Sequence, residues 1–172
     1  MNLKDYVATI EDFPKKGIMF RDVTPMIRDS KAFEYAIDQM AEFAKKVGAN
    51  VIIGPEARGF IFGCPIAYKL NLGFSPVRKP GKLPREAVTA DYSLEYGTNT
   101  LCLLTDALKK GDKVLIVDDL LATGGTARAC EELVEKLGAE TVGFACAIEL
   151  TDLHGRDVLK APVFSLLTYE GE

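Results

Sequence analysis

Two adjacent carboxylates, Asp118 and Asp119, stand just ahead of a Thr123-Gly124-Gly125-Thr126 run. The glycines let backbone N–H groups from Ala122 to Thr126 turn inward around an anion. The two threonine hydroxyls add donors to the same point. Carboxylates repel an anion, so the acidic pair cannot share that site. It suits vicinal sugar hydroxyls, or a hydrated Mg²⁺. A phosphate cradle beside a diol site describes a ribose 5-phosphate. Two other phosphate loops are excluded, because the chain has neither Gly-x-x-x-x-Gly-Lys-Ser/Thr nor a strand followed by Gly-x-Gly-x-x-Gly.

The elements around these residues must place them. Val114 to Val117 reads as a strand buried on both faces, with the acids where it ends. Ala127, Cys130, Val134 and Leu137 then recur at helical spacing, and Gly138 stops the helix. Its positive end points at the glycine loop, and ligands of open α/β sheets bind beyond the strands' carboxyl ends. A second buried strand, Val51-Ile52-Ile53, runs into Gly54-Pro55-Glu56-Ala57-Arg58-Gly59, where Arg58 offers a planar fork to a phosphate. A shorter strand, Leu72 to Val77, delivers Arg78 and Lys79. Further strands are expected at Thr98 to Thr105, Thr141 to Ile148 and Pro162 to Tyr169. Helices are expected from about Asp29 to Gly48 and from Phe60 to Leu70, the latter kinked or shifted by Pro65. The fold class is therefore α/β, an open, mainly parallel five-stranded sheet flanked by helices, in one domain spanning 1–172.

Two stretches fit neither period. Residues 1–28 suggest a short amphipathic helix around Tyr6, Val7 and Ile10, then an irregular extended piece from Ile18 to Pro25. Residues 81–97 lack a clean repeat and carry Lys82, Arg85, Glu95 and Tyr96. That length without structure points to a mobile lid that closes over an anionic ligand and shields it from water.

Composition sets the outer bounds. The chain has 172 residues, 48% hydrophobic and 27% charged, enough for a sizeable core. A net charge of −4 gives no basic field, so neither nucleic acid nor a membrane surface is an expected partner. Cys64, Cys102, Cys130 and Cys146 are scattered singly, which fits free thiols in a reducing cytoplasm. No signal peptide or membrane-spanning run is visible.

Val114 to Thr126 resembles the phosphoribosyl-diphosphate (PRPP) motif of type I phosphoribosyltransferases. The Leu-Leu-Ala-Thr-Gly-Gly-Thr form, the Phe20-Arg21-Asp22-Val23-Thr24-Pro25 stretch and Ser93-Leu94-Glu95-Tyr96-Gly97 are similar to the adenine-specific branch. The resemblance implies transfer of phosphoribose from PRPP to adenine, giving AMP and diphosphate with Mg²⁺, through an oxocarbenium-like transition state. It implies a hood from residues 1–28 and 149–172, with Phe20 and Leu150 on opposite faces of adenine and the backbone of Met19 and Arg21 reading its edge. Asp118 and Asp119 would take the ribose hydroxyls, with Mg²⁺ held mainly by PRPP and water. Arg58, Arg78 and Lys79 would take the diphosphate, with Lys82 and Tyr96 completing the PRPP site. Glu95 would handle the purine N7 proton. A cis peptide near Glu56–Ala57 and a homodimer that lends a basic residue across its interface are also implied. The family's acidic position in the Leu101 to Asp106 strand is Cys102 here, which leaves the local packing and the subunit contact open. Two rivals remain: an enzyme acting on 6-oxopurines, whose branches lack the Phe20–Pro25 stretch, and a PRPP- or AMP-binding regulator without turnover.

Overall fold

The computed structural model describes residues 1–94 and 97–170. The chain passes through β1 (Ala8–Ile10), β2 (Phe20–Asp22), α1 (Thr24–Arg28), α2 (Ser30–Val47), β3 (Val51–Pro55), α3 (Arg58–Leu70) and β4 (Gly73–Val77). It continues through β5 (Ala87–Leu94), β6 (Gly97–Leu104), β7 (Lys113–Leu121), α4 (Gly125–Lys136), β8 (Glu140–Leu150) and β9 (Val163–Tyr169). Five strands form an open parallel sheet in the order β4-β3-β7-β8-β9. This is the fold class read from the sequence.

The centre of the sheet is buried on both faces because Ile52–Ile53, Val114–Val117 and Phe144–Ile148 are apolar at every position rather than at every second one. Leu115 and Val117 pack with α2 and α3 on one side. Val114 and Ile116, one residue out of phase, pack with α4 on the other. Asp29 starts α2 by accepting the Ala32 N–H at 2.9 Å, and α3 runs unbroken through Pro65.

Four expectations are corrected. Residues 3–10 are not an amphipathic helix: Leu3–Tyr6 forms one 3₁₀ turn, and β1 pairs antiparallel with β2, Ile10 opposite Phe20. Pairing with a partner strand outweighs weak local helix propensity. The segment after Val23 is also more regular than expected, since Pro25 sits in the first turn of α1, where its missing N–H costs nothing. Thr98 to Thr105 does not join the main sheet. As β6 it forms a separate antiparallel hairpin with β5, which occupies much of the stretch expected to be structureless. Val88, Ala90 and Tyr92 alternate with Thr89, Asp91 and Ser93 and face α4; the small side chain of Ala90 hides that period in the sequence. Finally, β9 is the fifth strand of the core sheet as well as the neighbour of the N-terminal arm. Cys102 is buried, and its backbone exchanges two hydrogen bonds with Arg78, pinning the hairpin to the end of β4.

Candidate active site

The pairing of β3 with β7 stops at Ile53 and Ile116, while β7 continues beside β8 as far as Leu121. The acids therefore lie inside β7, not past its end as the sequence suggests, on an edge that β3 has left open. From β3 the chain crosses through α3 to β4, and from β7 it crosses through α4 to β8 on the other side. Adjacent strands whose connections diverge leave a crevice at their carboxyl ends. Two adjoining cavities of ≈ 200 and ≈ 420 Å³ fill it, sharing Arg58, Asp118, Asp119 and Thr126 on their walls.

The smaller cavity is the one built by the glycine loop. Ala122, Thr123, Gly124, Gly125 and Thr126 line it together with Arg58 and both acids. Gly124 has φ 92°, a backbone that a side chain disfavours, and it lets the loop reverse directly into α4. The first turn of a twelve-residue helix thus lines the cavity beside the loop, and the positive end of its dipole suits an anion there.

Alternation along β7 separates the two acids. Asp118 shares its side with Ile116, near Cys130, and its carboxyl is held well above the usual range, first by burial and then by the charge of Asp119. Asp119, 9% exposed, meets Arg58 instead, with Nε to Oδ2 at 2.8 Å. The Asp119 N–H also donates to Asp118 Oδ1 at 2.8 Å. Gly59 permits this close assembly: a Cβ there would lie 2.9 Å from both the Val117 carbonyl oxygen and the Pro55 ring.

The basic residues divide. Lys79 lines the larger cavity. Arg78 lines neither; its Nε donates to Glu56 Oε1 at 3.1 Å, and the Lys79 N–H donates to the same oxygen at 2.9 Å. Those bonds hold the Glu56 carboxyl below its ordinary range, the Lys79 backbone contributing most. Glu56 therefore ties the two basic loops together. The Glu56–Ala57 peptide is cis. Lys82 is exposed and lines neither cavity. Glu95 and Tyr96 lie outside the described residues.

Above the crevice, the Phe20 ring centroid is 5.9 Å from the Arg58 guanidinium and 5.2 Å from the Phe13 ring, which meets it edge-on. Met19 and Arg21 flank Phe20 and are half-buried. Arg21 donates to Thr9 Oγ1 at 2.8 Å and lies 4.2 Å over the Tyr169 ring, so the N-terminal arm and the end of β9 meet. Leu150 is buried at the end of β8, in the cluster that holds Val23 and Met26.

Sequence reasoning missed Tyr92, Leu101 and Pro55, which also line the larger cavity. Tyr92 comes from the hairpin, and its ring passes 3.2 Å from where a Cβ of Gly125 would lie. Only the packing of β5 on α4 brings it there, so no local signal announced it.

Among the described residues, no three His, Cys, Asp or Glu side chains cluster closely enough to cage a metal. Two carboxylates beside a glycine loop and the first turn of α4 would fit a hydrated Mg²⁺ completed by phosphate oxygens. Among the described residues, no helix is long and apolar enough to cross a membrane.

A family model described as a phosphoribosyl transferase domain matches residues 24–171. Crystal structures of adenine phosphoribosyltransferases superpose over nearly the whole chain. That from Thermoanaerobacter pseudethanolicus is 49% identical, with TM-score 0.94, covering 97% of this chain and 98% of its own. That from Rhodothermus marinus is 45% identical, with TM-score 0.91 and coverages of 97% and 96%. That from Saccharomyces cerevisiae, complexed with an imino-altritol bisphosphate and adenine, is 42% identical, with TM-score 0.90 and coverages of 95% and 96%. With its glycine loop, acidic pair and switch-point crevice, the chain belongs to the phosphoribosyltransferase family, among the adenine phosphoribosyltransferases.

Proposed function

We propose that the protein transfers the 5-phosphoribosyl group of PRPP to adenine, releasing AMP and diphosphate. The observation that carries this reading is the meeting of the acidic pair, the glycine loop and Arg58 in one crevice. The adenine in the yeast relative's complex supports the choice of base.

In this reading the 122–126 loop holds the 5-phosphate by its N–H groups and the hydroxyls of Thr123 and Thr126. Asp118 and Asp119 accept hydrogen bonds from the ribose 2- and 3-hydroxyls. Their charge also favours the cation that develops at C1 as its bond to diphosphate breaks and the bond to adenine N9 forms. Arg58 and Lys79, on the cavity walls, neutralise the diphosphate, with one basic residue lent by a second subunit, while Arg78 acts through Glu56, which also holds the Lys79 backbone. Mg²⁺, held by PRPP, water and the acidic pair, supplies further charge for the leaving group when bound. Phe20 and Leu150 sandwich the base, and backbone groups of Met19 and Arg21 read its edge, which an oxopurine cannot match. Glu95 manages the N7 proton, and Tyr96 completes the PRPP site.

The same reading makes the enzyme a homodimer working in the cytoplasm, a reducing compartment that suits four free thiols. Support for the dimer is an apolar stripe on α3, where Ile61 is 37% exposed, Cys64 is exposed and Tyr68 is 90% exposed on one helix face.

Nucleotide formation from PRPP and Mg²⁺ with adenine, hypoxanthine and guanine in parallel tests the proposal. AMP from adenine alone is the expected result. Turnover of the oxopurines instead would discard the base assignments, and binding of PRPP without product from any base would favour a regulator.

A further inference from the structure

The turn that follows β8 is wedged against the glycine loop. A Cβ on Gly124 would lie 2.5 Å from Val158 Cγ2 and 2.7 Å from the Gly155 carbonyl oxygen. From the other side, a Cβ on Gly155 would overlap the Ala122 carbonyl oxygen and sit 3.0 Å from the Leu121 side chain. Two glycines thus face each other so that two backbones can touch. One belongs to the loop assigned above to the 5-phosphate. The other belongs to the 149–172 stretch expected to form part of the hood, which has no assigned part in holding the phosphate.

That segment is fastened at both ends to buried carboxylates. Arg156 makes a two-pronged pair with Glu149, Nε to Oε2 at 2.8 Å and a terminal nitrogen to Oε1 at 2.6 Å. Glu149 is 3% exposed, pairs with Leu121 in the β7–β8 register, and also accepts from Ser165 Oγ at 2.9 Å. At the far end, Glu131 is 1% exposed and accepts the Lys160 and Ala161 N–H groups, each at 3.0 Å. Glu131 is on α4 and Glu149 on β8. The glycine loop joins β7 to α4, so one fastening sits on the helix that follows the loop and the other on the strand paired with β7, opposite Leu121.

We propose that Gly155–Ala161 is a strap that sets the shape of the 122–126 loop, and that Arg156 is a positioning residue for the 5-phosphate although it does not touch it. The inference rests on the reading of that loop as the phosphate site. A cradle of N–H groups binds only when all of them point at one centre, so a small shift of Ala122 or Gly124 weakens every bond together. The strap's effect should therefore fall mainly on the phosphate, because Gly155 and Val158 touch the 122–126 loop directly, whereas Arg156 reaches the base site only through Glu149, the neighbour of Leu150.

Arg156→Leu, Arg156→Lys and Val158→Ala separate this role from a purely structural one. The readouts are calorimetric binding of ribose 5-phosphate, the KM values for PRPP and adenine, and the melting temperature. Arg156→Leu should weaken ribose 5-phosphate binding and raise the PRPP KM by roughly threefold to tenfold, with the adenine KM within about twofold. Lys, a point charge without the fork, should recover only part of the loss. Val158 is half-exposed, so Val158→Ala will fold and should show a smaller change in the same direction. A lowered melting temperature with unchanged ribose 5-phosphate affinity, or parallel rises in both KM values, would overturn the strap. If wild-type protein turns over PRPP while the variants match it, only this inference fails; if wild-type protein neither binds nor uses PRPP, the proposed function fails with it.

Discussion

Arg58 and Asp119 are joined by an ion pair of 2.8 Å across the gap between β3 and β7. Both face the crevice, and each has a proposed ligand of its own, the diphosphate for Arg58 and the ribose hydroxyls for Asp119. Binding must therefore exchange this pair for two new sets of contacts. Arg58 is 51% exposed, so the pair adds little to stability. Arg58→Ala should leave the melting temperature within about 2 °C of wild type. It should lower kcat/KM for PRPP by roughly 10²- to 10³-fold, the usual cost of losing one preorganised charge-stabilising donor. Arg58→Lys should recover little, because an ammonium cannot reproduce the fork. Thermal melts and initial rates decide it, and unchanged kcat/KM in the alanine variant would remove Arg58 from the reaction.

Asp118 gives a pH signature. Its carboxyl is raised well above the ordinary 3.8, by burial first and Asp119 second. A raised folded value means that the folded chain holds the proton more tightly than the unfolded one. The resulting stability is complete below about pH 3.8 and is lost as pH climbs through the folded value. As pH rises above 3.8, burial of the Asp118 carboxyl beside Asp119 is thus a growing cost to the ligand-free protein. Asp118→Asn should raise the melting temperature at pH 7–8 by roughly 2–4 °C, the shift expected from about 1 kcal/mol in a chain of this size. The gain should shrink as pH falls toward 4, while activity is largely lost at every pH. A gain that does not depend on pH would point to packing instead of charge.

Phe20 is braced edge-on by Phe13 at 5.2 Å, which fixes the face it offers. Phe20→Leu keeps bulk but removes the ring. The adenine KM should rise by about 2- to 10-fold, equivalent to the 0.5–1.5 kcal/mol typical of an aromatic pair. The PRPP KM should stay unchanged, and steady-state kinetics with each substrate varied in turn would show a misassignment if PRPP moved instead.

Tyr68 is the most exposed residue of the α3 stripe, at 90%. A charge buried at its position in a dimer would lack a partner and cost several kcal/mol. Tyr68→Glu should shift the sedimenting species from dimer to monomer with an unchanged far-ultraviolet spectrum. A wild-type monomer at micromolar concentration would withdraw the dimer from the proposal.

Much of this architecture was legible in the chain, for reasons specific to each part. The runs Val51–Ile53 and Val114–Val117 announced buried parallel strands because both faces of each must be apolar. Gly124 and the flanking threonines announced a glycine loop opening a helix beside a cavity, because that geometry is local, made from neighbouring residues. β5 was harder, since Ala90 contributes too little apolar surface to reveal the alternation of Val88, Ala90 and Tyr92. The N-terminal β1–β2 ribbon was missed because its stability comes from pairing across the connection between Ile10 and Phe20, not from either short strand alone.

The sequence by itself determined which groups the site would contain, since an acidic pair, a glycine loop and Arg58 are each a few consecutive residues whose chemistry does not depend on the rest of the chain. Only the tertiary structure decided how they combine. Diverging crossovers from β3 and β7 opened the crevice, and Gly59 let the Arg58 loop reach Asp118 and Asp119. Tyr92 and the Gly155–Ala161 segment were brought against the glycine loop from elsewhere in the chain. Contacts between residues distant along the chain depend on strand order and close backbone approach, and these are settled by packing the whole sheet at once, not by any local run of residues.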